Sequence, residues 1–412
     1  MKATRLLVTA AVAVVLLPGC GSSYGDDKGG GTSSAPIRIM FGSSGEAETG
    51  AVKKAAAVWQ KKTGHKVQVV PAQNLAQQLT QGFAGGNPPD VFYTDPTVLQ
   101  QYADGGSLYP YGDQLPKSTV DDFYPALRQA DTYKGKLYCA PKDLDTHELV
   151  INTDLWKAAG LTEADYPKTW DDLTRVATKL TNGKHVGLTV GGDHNTVGTF
   201  MLGAGGWFVN KDNSKVTANS PENLKALNYL RDNMKKKIFA TPKSINAQNP
   251  GEAFGKGRAA MDVDGGWIIG QLSADYPDVH WTAVPMPAGP AGQATTVFTN
   301  CWGIAAKSPN RKAAVDLVKT LTSVPQQKNF MTAFGATPSR QSLADWTVQA
   351  NPKKDAFVRG AKYARGVVSI PGFSSVLADF DTQLEKLFTG GTNAKDALDS
   401  LQRNGDDALK QK

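Results

Sequence analysis

Asp95, Asp143, Asp264 and Glu46 are the side chains with which this sequence could do acid–base work. Two carboxyl groups flanking one bond would make a glycosidase, one protonating the leaving oxygen and the other serving as base or nucleophile. The same groups accept hydrogen bonds from sugar hydroxyls, so their presence does not separate an enzyme from a binding protein. Other catalytic constellations are missing. His65, His147, His185, His194 and His280 never fall in the His-Glu-x-x-His spacing that puts two ligands on one helical face, and no Cys-x-x-Cys pair occurs. Neither a metal nor another cofactor is expected, and His147 reads as a structural hydrogen-bonding residue. Gly42-Ser43-Ser44-Gly45 lacks the spacing of a nucleophile elbow, and Gly255-Lys256-Gly257-Arg258 lacks the Ser or Thr of a phosphate loop. Both read as turns.

The elements that must position these residues alternate. Residues 37–41, 67–70 and 91–93 read as strands, 46–62 and 75–83 as helices. That β-α-β-α-β order implies a mainly parallel sheet covered by helices. Thr169-Trp170-Asp171-Asp172 offers a capping box, and Ser220-Pro221 and Ser308-Pro309 each set a cap residue before a proline fit for the first turn. Ser43 and Ser44 are placed to cap the helix at Glu46. A chain of 412 residues with 40% hydrophobic content exceeds what one core normally holds, so two domains are expected.

The amino terminus reads as an address. Lys2 and Arg5 precede an apolar run over 6–17, too short to span a bilayer, and Leu17-Pro18-Gly19-Cys20 follows. This ending resembles the lipobox of bacterial lipoproteins, although Pro18 replaces the usual small or aliphatic residue. Residues 1–19 are then a signal peptide, Cys20 the lipidated residue, and 20–35 a Gly/Ser-rich tether. The expected location is the extracytoplasmic face of the cell membrane, lipid-anchored, with a plainly secreted chain as the alternative. Losing Lys2 and Arg5 leaves 43 basic against 38 acidic residues and lowers the net charge from +7 to +5. The basic residues are dispersed, and Lys235-Lys236-Lys237 falls at a helix end where cations suit the dipole, so nucleic acid is not an expected partner. Export puts Cys139 and Cys301 in an oxidising compartment, where they are either bridged or two separate buried thiols.

Several segments then share one order. Phe83-Ala84-Gly85-Gly86-Asn87-Pro88-Pro89-Asp90-Val91 leads into an early strand. Tyr133-Lys134-Gly135-Lys136-Leu137-Tyr138, Leu149-Val150-Ile151-Asn152, Ala158-Ala159-Gly160-Leu161 and Pro167-Lys168-Thr169-Trp170 come next. Ala253-Phe254, Gly257-Arg258-Ala259-Ala260-Met261, Gly266-Trp267, Val284-Pro285-Met286-Pro287, Trp302-Gly303-Ile304 and Lys312-Ala313-Ala314 complete the series. This order resembles the family-1 extracellular solute-binding proteins of ABC importers, the carbohydrate binders that include maltose-binding protein.

The resemblance implies an α/β, two-lobed, type II periplasmic-binding-protein-like fold with a hinge. Lobe one would hold residues 36–140 plus 302–342, and lobe two residues 141–301 plus 343–412. It implies that 138–141 and 300–303 are neighbouring hinge strands, which brings Cys139 near Cys301 and favours a disulfide. In open α/β sheets ligands lie beyond the carboxyl ends of the strands. Ser43, Ser44 and Glu46, together with Asp95, would therefore line one wall, and Asp264 and Trp267 the facing one. By motif order Trp267 and Trp207 would stack on sugar, with Trp302 at the hinge crossing and Phe373 after Ile370-Pro371-Gly372 as further candidates, while Asp95, Asp143, Asp264 and Asn300 bind hydroxyls. The implied partners are a small carbohydrate and the permease and ATPase of an importer, and the implied state is a monomer without catalysis. An exported glycoside hydrolase, or a binder of a polyamine, phosphorylated polyol or peptide, is the alternative.

Overall fold

The computed structural model describes residues 35–410. The signal, Cys20 and nearly all of the tether lie outside the described residues. Chain order gives the strands β1 (Ile37–Phe41), β2 (Val67–Pro71), β3 (Val91–Thr94), β4 (Thr132–Tyr133), β5 (Lys136–Leu137), β6 (Cys139–Pro141) and β7 (Asp145–Asn152). There follow β8 (Val186–Val190), β9 (Phe239–Ala240), β10 (Ala259–Gly265), β11 (Trp281–Val284), β12 (Thr295–Phe298), β13 (Cys301–Ile304) and β14 (Ala364–Gly366).

Two sheets organise the molecule into two lobes. The first has the order β2-β1-β3-β13-β6. Its β1 runs parallel to β2 and β3, joined by the helices Glu46–Thr63 and Leu75–Ala84, as the alternating pattern requires. β13 arrives from far along the chain and pairs antiparallel with both β3 and β6. Alternation along the strands turns Ile37, Ile39, Phe41, Val91, Tyr93 and Trp302 into one core against Val52, Ala55 and Trp59 of the first helix. The opposite face holds Phe92, Cys139 and Cys301. There Cys139 and Cys301 form a disulfide with Cα atoms 5.4 Å apart, so the two thiols are bridged.

The second sheet has the order β14-β12-β7-β10-β8-β9, with β11 also on β7. Its larger core collects Leu149, Ile151, Leu188, Val190, Met261 and Val263 against the helices Trp170–Leu180, His194–Ala204 and Phe373–Thr389. Thr169 and Asp172 exchange backbone and side-chain bonds as a capping box, and Ser220 caps its helix by accepting from Asn223 N. Gly187 shows why the helix Trp170–Leu180 sits so close to β8: a Cβ there would lie 2.2 Å from the Ala177 carbonyl oxygen.

One expected cap fails. Ser308 donates to Asp90 Oδ1 at 2.5 Å and accepts from Asn310 N–H at 3.0 Å, but the helix begins two residues beyond the proline, at Arg311, with Asn310 as its N-cap residue. Gly45, not Ser43 or Ser44, is the N-cap residue of the first helix. The chain passes between sheets at 142–144 and again at 299–300. After Ser342, whose N–H bonds Asp122 of lobe one, it returns to pack Phe357 with Val150 of β7.

Candidate functional site

On lobe two, β10 alternates Met261 and Val263 with Asp262 and Asp264 and ends at Gly265; Gly266 and Trp267 then lead into the helix Ile268–Asp275. The indole of Trp267 folds back over the strand end, where a Cβ on Gly265 would lie 2.3 Å from the ring. Gly266 N–H donates to Asp145 Oδ1 at 2.5 Å, which ties the turn to the start of β7. Trp267 meets His147 and Phe298 edge-on, each at 5.6 Å between centroids, and those two rings stand 4.7 Å apart. Despite this backing Trp267 stays 47% exposed, one of only two large apolar side chains so exposed among the described residues. An unburied indole held rigidly from behind is a platform for a flat apolar surface.

Polar groups surround this platform. Trp267, His147, Phe298, Asp264, Asp193, Asn195, Asn249 and Gln271 line one hollow of about 480 Å³. Asp193 is fixed as the N-cap of the helix His194–Ala204, accepting from Asn195 N and Thr196 N at 2.9 and 3.1 Å. Asn249 caps the helix Pro250–Gly255 and accepts from Gln271 Nε2 at 3.2 Å. His147 shares a hydrogen bond with Thr296 Oγ1, 3.1 Å from Nδ1, and burial pushes its pKa down to about 4, so the ring is neutral near pH 7.

The carboxyls are tuned by their surroundings. Burial pushes Asp264 up to about 7, against the pull of hydrogen bonds from Gly265 N–H and the Trp267 side chain. Asp262, two residues earlier on the same face, is wholly buried; burial and the nearby Asp264 hold it well above the ordinary range. Two such groups side by side do not both ionise, so this pair carries at most one charge near neutrality. Burial also pushes Asp145 up to about 6, although Lys354 and the Gly266 N–H favour its charged form.

Lobe one is wired differently. Glu48 is buried and accepts from Ser44 N–H and Oγ at 2.7 and 2.8 Å, from Tyr93 Oη at 2.8 Å and from Lys142 Nζ at 3.0 Å. Burial alone would raise it, but Lys142 and Ser44 outweigh that and hold it below its ordinary value. Lys142, itself buried, also pairs with Asp143 at 2.7 Å and lies over the Tyr93 ring. Asp143 accepts from Asn300 N–H at 3.0 Å, and the Asn300 carbonyl accepts from Lys142 N–H at 2.8 Å, so these residues clasp the two chain crossings together. Asp131, wholly buried between Asp95 and Asp143 in electrostatic terms, is pushed well up by burial first and by those two acids next.

The expected residues divide accordingly. Trp267 and Asp264 stand together in the lobe-two hollow. Asp143 and Asn300 form the clasp, and Asp95 caps the helix Pro96–Asp104 through Thr97 N–H at 2.8 Å. Ser43 donates within its own loop to the Gly45 carbonyl at 2.7 Å, and Glu46 projects from the first helical turn into solvent. Three rings require correction. Trp302 is fully buried in the middle of the first sheet, 4.6 Å from Tyr93. Trp207 packs on Phe208 at 4.6 Å beneath the Arg365 guanidinium. Phe373 faces the lobe-two core from the first turn of its helix. None of the three offers a free face. Sequence reasoning missed Glu48, Lys142, Asp193, Asn195, Asn249, Gln271 and Phe298, and it took His147 for a structural residue only. The strand-end rule that found Trp267 would also have found Asp193 and Asn195, which follow β8 in the same way.

The model of the bacterial extracellular solute-binding protein family matches residues 42–328. A diacetylchitobiose binding protein of Streptomyces coelicolor is 27% identical over 73% of this chain and 71% of its own length. A galactooligosaccharide-binding protein of Bacillus subtilis is 23% identical over 100% of this chain and 98% of its own. Among solved structures, a cyclic alpha-maltosyl-1,6-maltose binding protein from Arthrobacter globiformis has a TM-score of 0.80 at 22% identity, covering 92% of this chain and 100% of that one. That likeness spans both lobes and bears on the fold.

Proposed function

The chain belongs to the bacterial extracellular solute-binding proteins, and on that premise we propose that it captures a sugar or oligosaccharide between its lobes and delivers it unaltered to an ABC importer. The observation that carries this reading is the half-exposed Trp267, backed by two rings and bordered by carboxylates and amides. A sugar has apolar C–H faces and a rim of hydroxyls, and the faces suit the indole while Asp264, Asp193, Asn195, Asn249 and Gln271 suit the rim. The named solutes of the relatives, diacetylchitobiose and galactooligosaccharide, support the same class.

Binding would start on lobe two and close lobe one over the solute. A ligand drives closure only through contacts that the open form lacks, so Ser43, Glu46, Asp95 and Asp143 are the groups whose contacts would count. A sugar missing one hydroxyl would leave a desolvated acceptor, at a cost of about 1–3 kcal/mol, which is the source of discrimination. The closed monomer is what the permease and its ATPase would recognise, and a lipid on Cys20 would keep it beside them.

Thermal-shift screening against mono- and oligosaccharides, with small-angle scattering on the best hit, tests the reading. A raised Tm, a more compact particle and a sugar recovered intact by chromatography are expected. A cleaved glycoside, or no Tm rise with any carbohydrate, would overturn it.

A further inference from the structure

The hollow at Trp267 is open on one side. Three residues that line it, Asp193, Asn249 and Pro250, also line a second hollow of about 1000 Å³. This larger one follows the edge strand β9 and lies between residues 241–250 and the later turns of the helix Phe373–Thr389. Gly191-Gly192, which follow β8, line the second hollow where it meets Asp193. A Cβ on Gly191 would lie 2.5 Å from both Asp193 Oδ2 and Thr196 Oγ1, and one on Gly192 would stand in the gap beside Thr241, 3.6 Å from its methyl. The ridge between the hollows is rigid, because Asp193 and Asn249 are each tied down as helix caps.

The second hollow has an apolar floor of Phe239, Phe388 and Met234, and a polar rim that includes Thr241 and the exposed Lys243–Glu385 ion pair. That combination repeats, on a larger scale, the apolar platform and polar border of the first. Sites for small molecules span roughly 300–1,000 Å³, which puts the first hollow toward the small end and leaves the second as the space for anything longer.

We propose that the two hollows form one groove and that the solute is an elongated oligosaccharide. One end stacks on Trp267, and the rest runs past Asp193 and Pro250 into the space beside Thr241 and the Lys243–Glu385 pair. This rests on the carbohydrate reading above and adds the length class. It also makes a separate physical claim. The second hollow is lined by lobe two alone and follows the outer edge strand β9 rather than the strand end at Trp267, so distal units bind the open and closed forms equally. Chain length then changes affinity and leaves the degree of closure as it was.

Isothermal titration of the full mature chain with di-, tetra- and hexasaccharides of the malto, chito and galacto series tests this, alongside scattering. In the series that binds, the dissociation constant is expected to tighten at least tenfold from the disaccharide to the hexasaccharide, with equal compaction for both. Thr241→Trp, which fills the second hollow, should erase that gain. Should this variant not fold, Lys243→Ala combined with Glu385→Ala, both on the surface, should reduce the gain at least threefold. Equal affinity at all lengths, or a length gain that survives these variants, overturns the groove and leaves carbohydrate capture standing. Failure of all three series to bind overturns both.

Discussion

The two walls treat their acids in opposite ways. On lobe one Glu48 is surrounded by donors, Ser44, Tyr93 and Lys142, and stays charged although buried. On lobe two Asp264 and Asp262 have few donors, and burial pushes both upward. The only half-exposed tryptophan of the described residues sits beside that second pair. The Glu48 site is thus finished by its own cation and hydroxyls, whereas the Asp262–Asp264 pair has few donors, a condition it shares with the buried Asp131 of lobe one. Asp264 lines the hollow, so under the proposed function it is the member of this group that hydroxyls on a captured sugar would reach.

The contrast is easiest to break at Lys142. Lys142→Met would leave the buried Glu48 and the half-buried Asp143 without their cation, and breaking a buried pair from one side costs about 3–5 kcal/mol. Chemical denaturation should report a loss of that size, whereas Glu46→Ala, in solvent two residues before Glu48, should change stability by less than about 0.5 kcal/mol. Equal effects would mean that lobe one is not held from within. Trp267→Ala should weaken the best sugar by about 2–3 kcal/mol, roughly thirty- to a hundred-and-fiftyfold by titration calorimetry. Its Tm should stay close to that of the parent protein because the ring is half in water.

The smallest effect concerns pH. Folded Asp264 keeps its proton up to about 7, while the unfolded chain releases it near 3.8. The folded state therefore binds more protons across that window, and stability falls as pH rises through it. His147, pushed down to about 4 from 6.5, acts in the opposite sense, but only below 6.5, where the unfolded ring is protonated. Above that value only the raised acids contribute. Asp264 should account for a loss of about 1 kcal/mol between pH about 6.5 and 8, measurable by denaturant titration and absent in Asp264→Asn. Glu148, pushed up to about 8 by burial, would leave a residual slope in that variant. A flat profile in the parent protein would remove the electrostatic half of the contrast.

Local pattern made much of this architecture readable. The strand and helix alternation over residues 37–94 falls within one or two residues of the elements formed, because apolar periodicity and turn residues act over short distances. Trp267 was reached differently, through motif order in the family resemblance together with its place just past the end of β10. What stayed hidden depends on distant partners. Lys142 meets Glu48 across 94 positions, and nothing in either neighbourhood announces the other. Ser308 was misread because the helix starts only at Arg311, while its hydroxyl is anchored on Asp90, 218 positions away. Trp207 and Trp302 have the right residue type in the right motif, yet the packing around each ring, set by tertiary neighbours, turns it inward.

β13 carries one more consequence. Lobe one begins at the amino-terminal end of the described chain, but its sheet has a missing rung until residues 301–304 arrive, and Cys139 waits 162 positions for its partner. During secretion, therefore, β3 and β6 present open edges while the intervening lobe is still being threaded through the membrane, and bare edges invite wrong pairing. Oxidation of Cys139 with Cys301 then marks the moment when the earlier half is sealed by the later one, so a nascent chain stalled before β13 should be captured by chaperones or proteases with its first sheet unfinished.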